Sequence, residues 1–170
     1  CTSIMSYSID QIDAFIFDFD GVLTNNQVHL DQHGTEWVSC SRSDGLAFDL
    51  LRKLNKPAYI LSTEENLVVS ARATKLKTKA LQGVANKVTA IQQLTKERGY
   101  DLSKICYTGN DLNDYRVMQL CNITACPSDS HPKIKQLASI NLKAQGGHGV
   151  VRELLEDVFN IDLITILYPE

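Results

Sequence analysis

Short apolar runs recur along the chain: "DAFIFD", "AYIL" (58–61), "ICYT" (105–108) and "ITAC". Each is followed by a segment whose apolar residues fall at helical spacing. A strand with one face in water alternates apolar and polar residues, whereas a strand covered on both faces reads as an unbroken apolar run. The pattern therefore predicts an α/β fold, a mostly parallel sheet between layers of helices. The helical segments are marked by Leu46, Leu50, Leu51 and Leu54, by Val68, Val69, Ala73 and Leu76, and by Val84, Val88, Ile91 and Leu94 up to Gly99. "DYRVMQL" and "HPKIKQL" follow, the latter with Pro132 in its first turn. "INLK" closes the strand series, and Val150, Val151, Leu154, Leu155 and Val158 form the last apolar stripe. One stretch breaks the rule: "NQVHLDQHGTEWVSC" alternates over 27–31 and 35–40 around His33-Gly34, which predicts a β-hairpin insertion.

The chain shows no repeat, low-complexity tract or linker and reads as one domain, 1–170, able to bury roughly 70% of its unfolded surface. A net charge of −3 and a pI near 5.8 give no support to a nucleic-acid or membrane-surface partner. No apolar run reaches the roughly 20 residues of a membrane span, and "CTSIMSYSID" lacks the pattern of a signal peptide. That N-terminus reads as an expression scar or as the edge of a fragment of a longer chain, with Met5 as an alternative native start. Cys1, Cys40, Cys106, Cys121 and Cys126 include no C-x-x-C pair and are expected to be free thiols in a reducing cytoplasm.

Open parallel sheets place ligands beyond the carboxyl ends of their strands. There the chain puts Asp18 and Asp20, then Ser62, Thr63 and Glu64, then Asn110, Asp111 and Asp114. "QGVANKVTA" adds Lys87 near the start of a helix. Carboxylates, a hydroxyl and an ammonium suit phosphoryl transfer: acids hold Mg²⁺, Lys and hydroxyl groups hold the moving phosphoryl oxygens, and one carboxylate attacks phosphorus. Such a nucleophile needs a second acid, which protonates the leaving alkoxide and later deprotonates water. Residues i and i+2 of an extended segment point the same way, so Asp18 and Asp20 can face one phosphate, and Gly21 lets the chain turn. A solvated turn is the bland alternative for these aspartates.

"DFDGVLT", "LSTE", "NK" and "GNDLND" resemble, in this order, the motifs of the haloacid dehalogenase (HAD) superfamily of phosphatases, over about residues 10 to 165. The hairpin, "SDG", "QGVANK" and "GGHGVVREL" are similar to its sugar-acid branch, the 3-deoxy-D-manno-octulosonate 8-phosphate and nonulosonate (sialic-type acid) 9-phosphate phosphatases. The resemblance implies a Rossmann-like fold without a cap domain, since hairpin and helix use up the chain between Asp18 and Ser62. It implies that Asp18 is the nucleophile, that Asp20 is the general acid/base, and that Ser62 and Lys87 bind the phosphoryl group. Mg²⁺ would be held by Asp18, the Asp20 carbonyl, and Asn110 or Asp111. It further implies a cytoplasmic homotetramer in which neighbours close the site, acting in sialic acid or lipopolysaccharide biosynthesis.

Asn110 departs from the usual G-D-D motif, as an amide stands where a metal-binding carboxylate is expected. The "GN" form also resembles the phosphatase-like domain of acylneuraminate cytidylyltransferases, so a weakly active or non-catalytic oligomerisation domain is the alternative. Glu64 replaces the arginine of the octulosonate enzymes and tilts the expected substrate towards a nine-carbon acid. Three further residues have a substrate-binding reading beside a plain one. Asp44 is an N-cap or a substrate contact; Arg72, a solvated helix residue or a substrate arginine. Arg152, with His148, is helix or loop charge or reaches a neighbour's site. Ser62 as an N-cap is compatible with phosphate binding, and Asp114 either braces its loop or supports catalysis. His29, His33 and His131 lack ligand spacing, and the glycines at 146, 147 and 149 do not make a dinucleotide fingerprint.

Overall fold

The structure, a computed structural model, describes residues 6–170. Cys1 and Met5, on which two of the sequence expectations rest, lie outside the described residues. The elements run β1 (Ala14–Phe17), β2 (His29–Leu30), β3 (Glu36–Trp37), α1 (Arg42–Lys53), β4 (Ala58–Leu61), α2 (Val68–Leu76), β5 (Lys79–Leu81) and α3 (Lys87–Arg98). Then come β6 (Ile105–Thr108), α4 (Tyr115–Leu120), β7 (Ile123–Cys126), α5 (Pro132–Leu137), β8 (Ile140–Asn141), α6 (Val150–Glu153) and α7 (Leu163–Leu167). A wider helical turn, Leu154–Val158, continues α6.

Six strands form one parallel sheet in the order β5-β4-β1-β6-β7-β8. From β1 the chain builds outward first through β4 and β5, then through β6, β7 and β8 on the other side. The strand order thus reverses at β1, and the crevice beyond its carboxyl end is where such sheets bind ligands.

Successive side chains of β1 go to opposite faces. Phe15 and Phe17 pack with Phe48, Leu50 and Leu51 of α1, Val69 of α2, and Val150 and Leu154. Ala14 and Ile16 pack with Ile91 and Leu94 of α3, Val117 and Met118 of α4, and Ile134 of α5. This two-sided core is why the strands read as unbroken apolar runs; each fully buried large side chain contributes roughly 1.5–3 kcal/mol. Phe48 meets Phe17 edge-on at 5.4 Å, locking α1 to the sheet centre.

The hairpin is shorter than its pattern predicted. His29 pairs with Trp37 and Leu30 with Glu36, with a single bridge between Thr24 and Cys40 at the base. Among the described residues no layer covers it, so few of its groups are held in register. Val28, Leu30 and Trp37 are 52%, 67% and 63% exposed. The structure also adds strand β5, which the sequence reading lacked, on the edge beside β4.

Candidate active site

Backbone geometry carries Asp18 from the end of β1 into the crevice: its N–H donates to the Thr108 carbonyl at 2.9 Å, extending the β1–β6 ladder by one step. Its carboxylate is buried, accepting the Phe19 N–H at Oδ1 (2.7 Å) and pairing with Lys87 Nζ at 3.1 Å. Lys87 is the first residue of α3, placed there by the Asn86 side chain, which accepts the Thr89 N–H as N-cap. Its ammonium donates on its other side to Asp114 Oδ1 at 2.9 Å.

Asp114 is fully buried and fully committed. Oδ1 also accepts the Tyr107 hydroxyl at 2.6 Å, and Oδ2 accepts the N–H groups of Asn110 at 2.9 Å and Asp111 at 3.3 Å. With no lone pair spared for substrate, it braces the loop and fixes Lys87. Gly109 is required here: a Cβ on it would lie 2.6 Å from Asp114 Cγ.

Electrostatics follow from this arrangement. Burial, then the charge of Asp114, pushes the Asp18 carboxyl well above its ordinary range, with Lys87 opposing. Burial would raise Asp114 too, but Lys87 and the donors from Tyr107 and Asn110 outweigh it and hold it low. Lys87 stays charged, its desolvation outweighed by the two carboxylates. Asp20 is half-buried and raised by desolvation and by the charge of Glu64. An acid held above the ordinary carboxylate range can deliver a proton near neutral pH.

Asn110 sits at the centre, its backbone fixed by Asp114 on one side and by the His131 N–H (2.9 Å) on the other. One end of its carboxamide faces the Asp20 carbonyl at 2.9 Å and Asp18 Oδ2 at 3.0 Å. Both neighbours are acceptors: an amide NH₂ at this end would donate to each, whereas an amide oxygen there would make a third oxygen turned to the same point. Gly21, at φ +84°, makes room: a Cβ there would lie 1.9 Å from the amide. The loop is closed from behind by the "QGGHG" segment. Gly147 N–H donates to Val22 at 3.0 Å, and a Cβ on Gly146 would meet the Gly21 carbonyl oxygen at 2.1 Å. Those glycines thus serve the close approach of two backbones.

The remaining predicted residues lie around this centre. Ser62 is buried at the end of β4, its Oγ accepting the Glu64 N–H at 3.1 Å. Glu64 turns one carboxylate oxygen onto the N–H groups of Glu65 and Asn66. Asp111 is exposed, and its Oδ1 accepts the Leu112 N–H at 2.7 Å. Asp44 caps neither α1, where Ser41 serves, nor solvent. Its Oδ1 instead accepts the N–H groups of Val151 (3.1 Å) and Arg152 (3.2 Å), pinning the start of α6. Burial raises its carboxyl to about 6 against the pull of those donors, Arg72 and Arg152. Arg72 is turned inward, Nη2 donating to the Ser41 carbonyl at 3.0 Å, rather than lying on a solvated helix face. Arg152 pairs with Glu156 at 2.7 Å. Asp44 Oδ2 and Arg72 Nε are buried without a hydrogen-bond partner.

A family model for haloacid dehalogenase-like hydrolases matches residues 55–154. The chain belongs to the haloacid dehalogenase-like hydrolases. That match leaves out β1, but the structural likeness extends over most of the chain. A chain from Streptomyces avermitilis described as a HAD-family hydrolase superimposes with a TM-score of 0.90 at 36% identity, over 94% of this chain and 91% of the other. The 3-deoxy-D-manno-octulosonate 8-phosphate phosphatase of Moraxella catarrhalis, in complex with magnesium, phosphate and KDO, superimposes with a TM-score of 0.84 at 27% identity, over 89% and 88%. The phosphatase of the same name from Escherichia coli K12 is 28% identical over 148 residues, 86% of this chain and 79% of that one. The hydrolase expected from the sequence, with its capless α/β fold, is thus the one found.

Tyr107 and Thr24 were missed as site residues. Thr24 Oγ1 accepts the N–H groups of Gly21 and Asn26, each at 3.2 Å, and so shapes the turn after Asp20. A threonine four residues past an aspartate is a readable loop signal. Tyr107 carried none, because its partner Asp114 is fixed only by the fold.

Proposed function

We propose that this chain is a Mg²⁺-dependent phosphatase of an ulosonate (sugar-acid) phosphate. The observation that carries this reading is the convergence of Asp18 Oδ2, the Asp20 carbonyl and the Asn110 amide beside a Lys87 charge held by Asp114. Among the described residues no group of three or more His, Cys, Asp and Glu side chains could hold a metal ion. The donors here are instead a carboxylate, a main-chain carbonyl and an amide oxygen, which are hard oxygen ligands that suit Mg²⁺. Bound there, Mg²⁺ would neutralise phosphoryl charge and favour the ionised form of Asp18.

The protein's own groups supply the rest. Asp18 attacks phosphorus and forms an aspartyl phosphate while the sugar oxygen departs with the proton of Asp20. Asp20, now a base, takes a proton from water; that water attacks phosphorus and releases Asp18. Lys87 and the Ser62 hydroxyl bind the non-bridging oxygens. Asp44, Glu64, Arg72 and Arg152 form the sugar side of the site, and Asp111 supports the metal loop from outside.

The names of the relatives favour an eight-carbon acid. Glu64 favours a longer one, although one of its oxygens is already committed to its own loop. We read residues 1–170 as one catalytic domain. The bare hairpin with Val28, Leu30 and Trp37 supports assembly into a homotetramer, since an isolated two-stranded hairpin is marginal in water. No helix of the described residues is long and apolar enough to cross a membrane. Free Cys40, Cys106, Cys121 and Cys126 support a reducing, cytoplasmic location. An intact Asp18–Lys87–Asp114 network favours chemistry over a purely assembling role.

The test is phosphate release from octulosonate 8-phosphate and nonulosonate 9-phosphates with Mg²⁺. Release that vanishes in Asp18→Asn supports the reading. Equal rates in both proteins, or no release from any substrate, contradict it.

A further inference from the structure

We infer that Asn110 is a reversible plug: in the cation-free protein its side-chain NH₂ stands where a metal-ligating oxygen would be and ties up two of the other ligands, and cation entry requires the amide to turn over. The inference rests on the phosphatase reading of the site and concerns what the amide adds to it. In one orientation the NH₂ donates to the Asp20 carbonyl at 2.9 Å and to Asp18 Oδ2 at 3.0 Å. Those acceptors are two of the oxygens that would hold a cation. Turned by half a revolution about its last side-chain bond, the same amide presents its oxygen to the same point and completes a set of three oxygen donors. Only a carboxamide can do both, as it carries a double donor and an acceptor on one planar group.

A carboxylate at 110 could not plug the site. It would bring a second negative group against Asp18 Oδ2 and a carbonyl oxygen, and would need a proton or a cation to be tolerated. The surroundings fit a turning amide. The Asn110 backbone is pinned on both sides, by Asp114 Oδ2 and by the His131 N–H, so the side chain moves alone. Gly21 leaves the space into which the amide fits, where a Cβ would stand 1.9 Å away. The consequence is a site that stays folded and internally satisfied without metal, at the expense of metal affinity.

The experiment compares wild type and Asn110→Asp, each with EDTA and with increasing MgCl₂. In ¹⁵N-labelled wild type the Asn110 NH₂ pair, identified by its loss in the variant, should be protected from exchange without Mg²⁺ and should shift and lose protection on saturation. Asn110→Asp should melt at least about 3 °C lower than wild type in EDTA, bind Mg²⁺ roughly tenfold more tightly, and gain more thermal stability from Mg²⁺. An NH₂ pair that is unprotected in EDTA overturns the plug, as does one unmoved at saturating Mg²⁺. So does a variant as stable as wild type without metal. Should Asn110→Asp not fold, the NH₂ pair is assigned instead through its connectivity to the Asn110 backbone, and the wild-type spectra decide alone. Phosphate release is read separately: turnover with an unmoved amide sinks only the plug, whereas absent turnover with a moving amide sinks only the phosphatase reading.

Discussion

The floor of the site and its rim are built on opposite terms. On the floor, Asp18, Lys87 and Asp114 are each at most 4% exposed, and Asp114 accepts from four donors. At the rim, Asp44 Oδ2 and Arg72 Nε are buried with no partner, and Arg152 is turned to Glu156. A buried polar atom without a partner is costly, so the rim is the part of the molecule that a ligand or a neighbouring subunit can complete. The fold by itself completes the floor. On the proposed function, the phosphoryl chemistry is preorganised by the chain, and substrate selection is left to what approaches it.

The comparison can be broken at the floor first. Lys87→Met leaves Asp18 and Asp114 facing each other as uncompensated buried carboxylates, and should cost about 3–5 kcal/mol in chemical denaturation as well as activity. A loss under about 1 kcal/mol would mean that the floor is not the satisfied unit described here. At the rim, Asp44 tests the opposite condition. Its folded pKa of about 6 lies above the unfolded value. The folded state thus holds the extra proton in acid, and stability from this group falls as pH rises from about 4 to 6. Between about pH 4 and 7, wild type should lose about 2 kcal/mol more than Asp44→Asn, which keeps an acceptor for Val151 and Arg152 without the charge. Parallel pH profiles would remove Asp44 from the strained rim. The smallest effect is expected at Trp37, outside both regions. Trp37→Ser should change the stability of the subunit by no more than about 0.5 kcal/mol yet dissociate the proposed homotetramer in sedimentation velocity; a tetramer that survives the change would move the proposed interface elsewhere.

Floor and rim also differ in how far the sequence revealed them. β1, β4, β6 and β7 were readable because burial on both faces writes itself as an apolar run, and the polar residues at their ends marked the crevice. Edge strand β5 was not, since Lys79–Leu81 is short and only partly covered. Asp44 shows the deeper limit. Its partners, Val151 and Arg152, lie more than a hundred positions away, and no local pattern announces a cap delivered to a distant helix. Nor could Asn110 be weighed from its residue type alone: that its amide faces Asp18 and the Asp20 carbonyl follows from the loop geometry that Gly21 and Thr24 impose.

The central claim is that Asp18 becomes phosphorylated, and borohydride trapping tests it most directly. A reaction with ulosonate phosphate and Mg²⁺, quenched in the steady state and reduced, should convert residue 18 to homoserine in the peptide spanning β1, detectable by mass spectrometry. Reduction at any other carboxylate, or none at all despite ongoing phosphate release, would contradict the account.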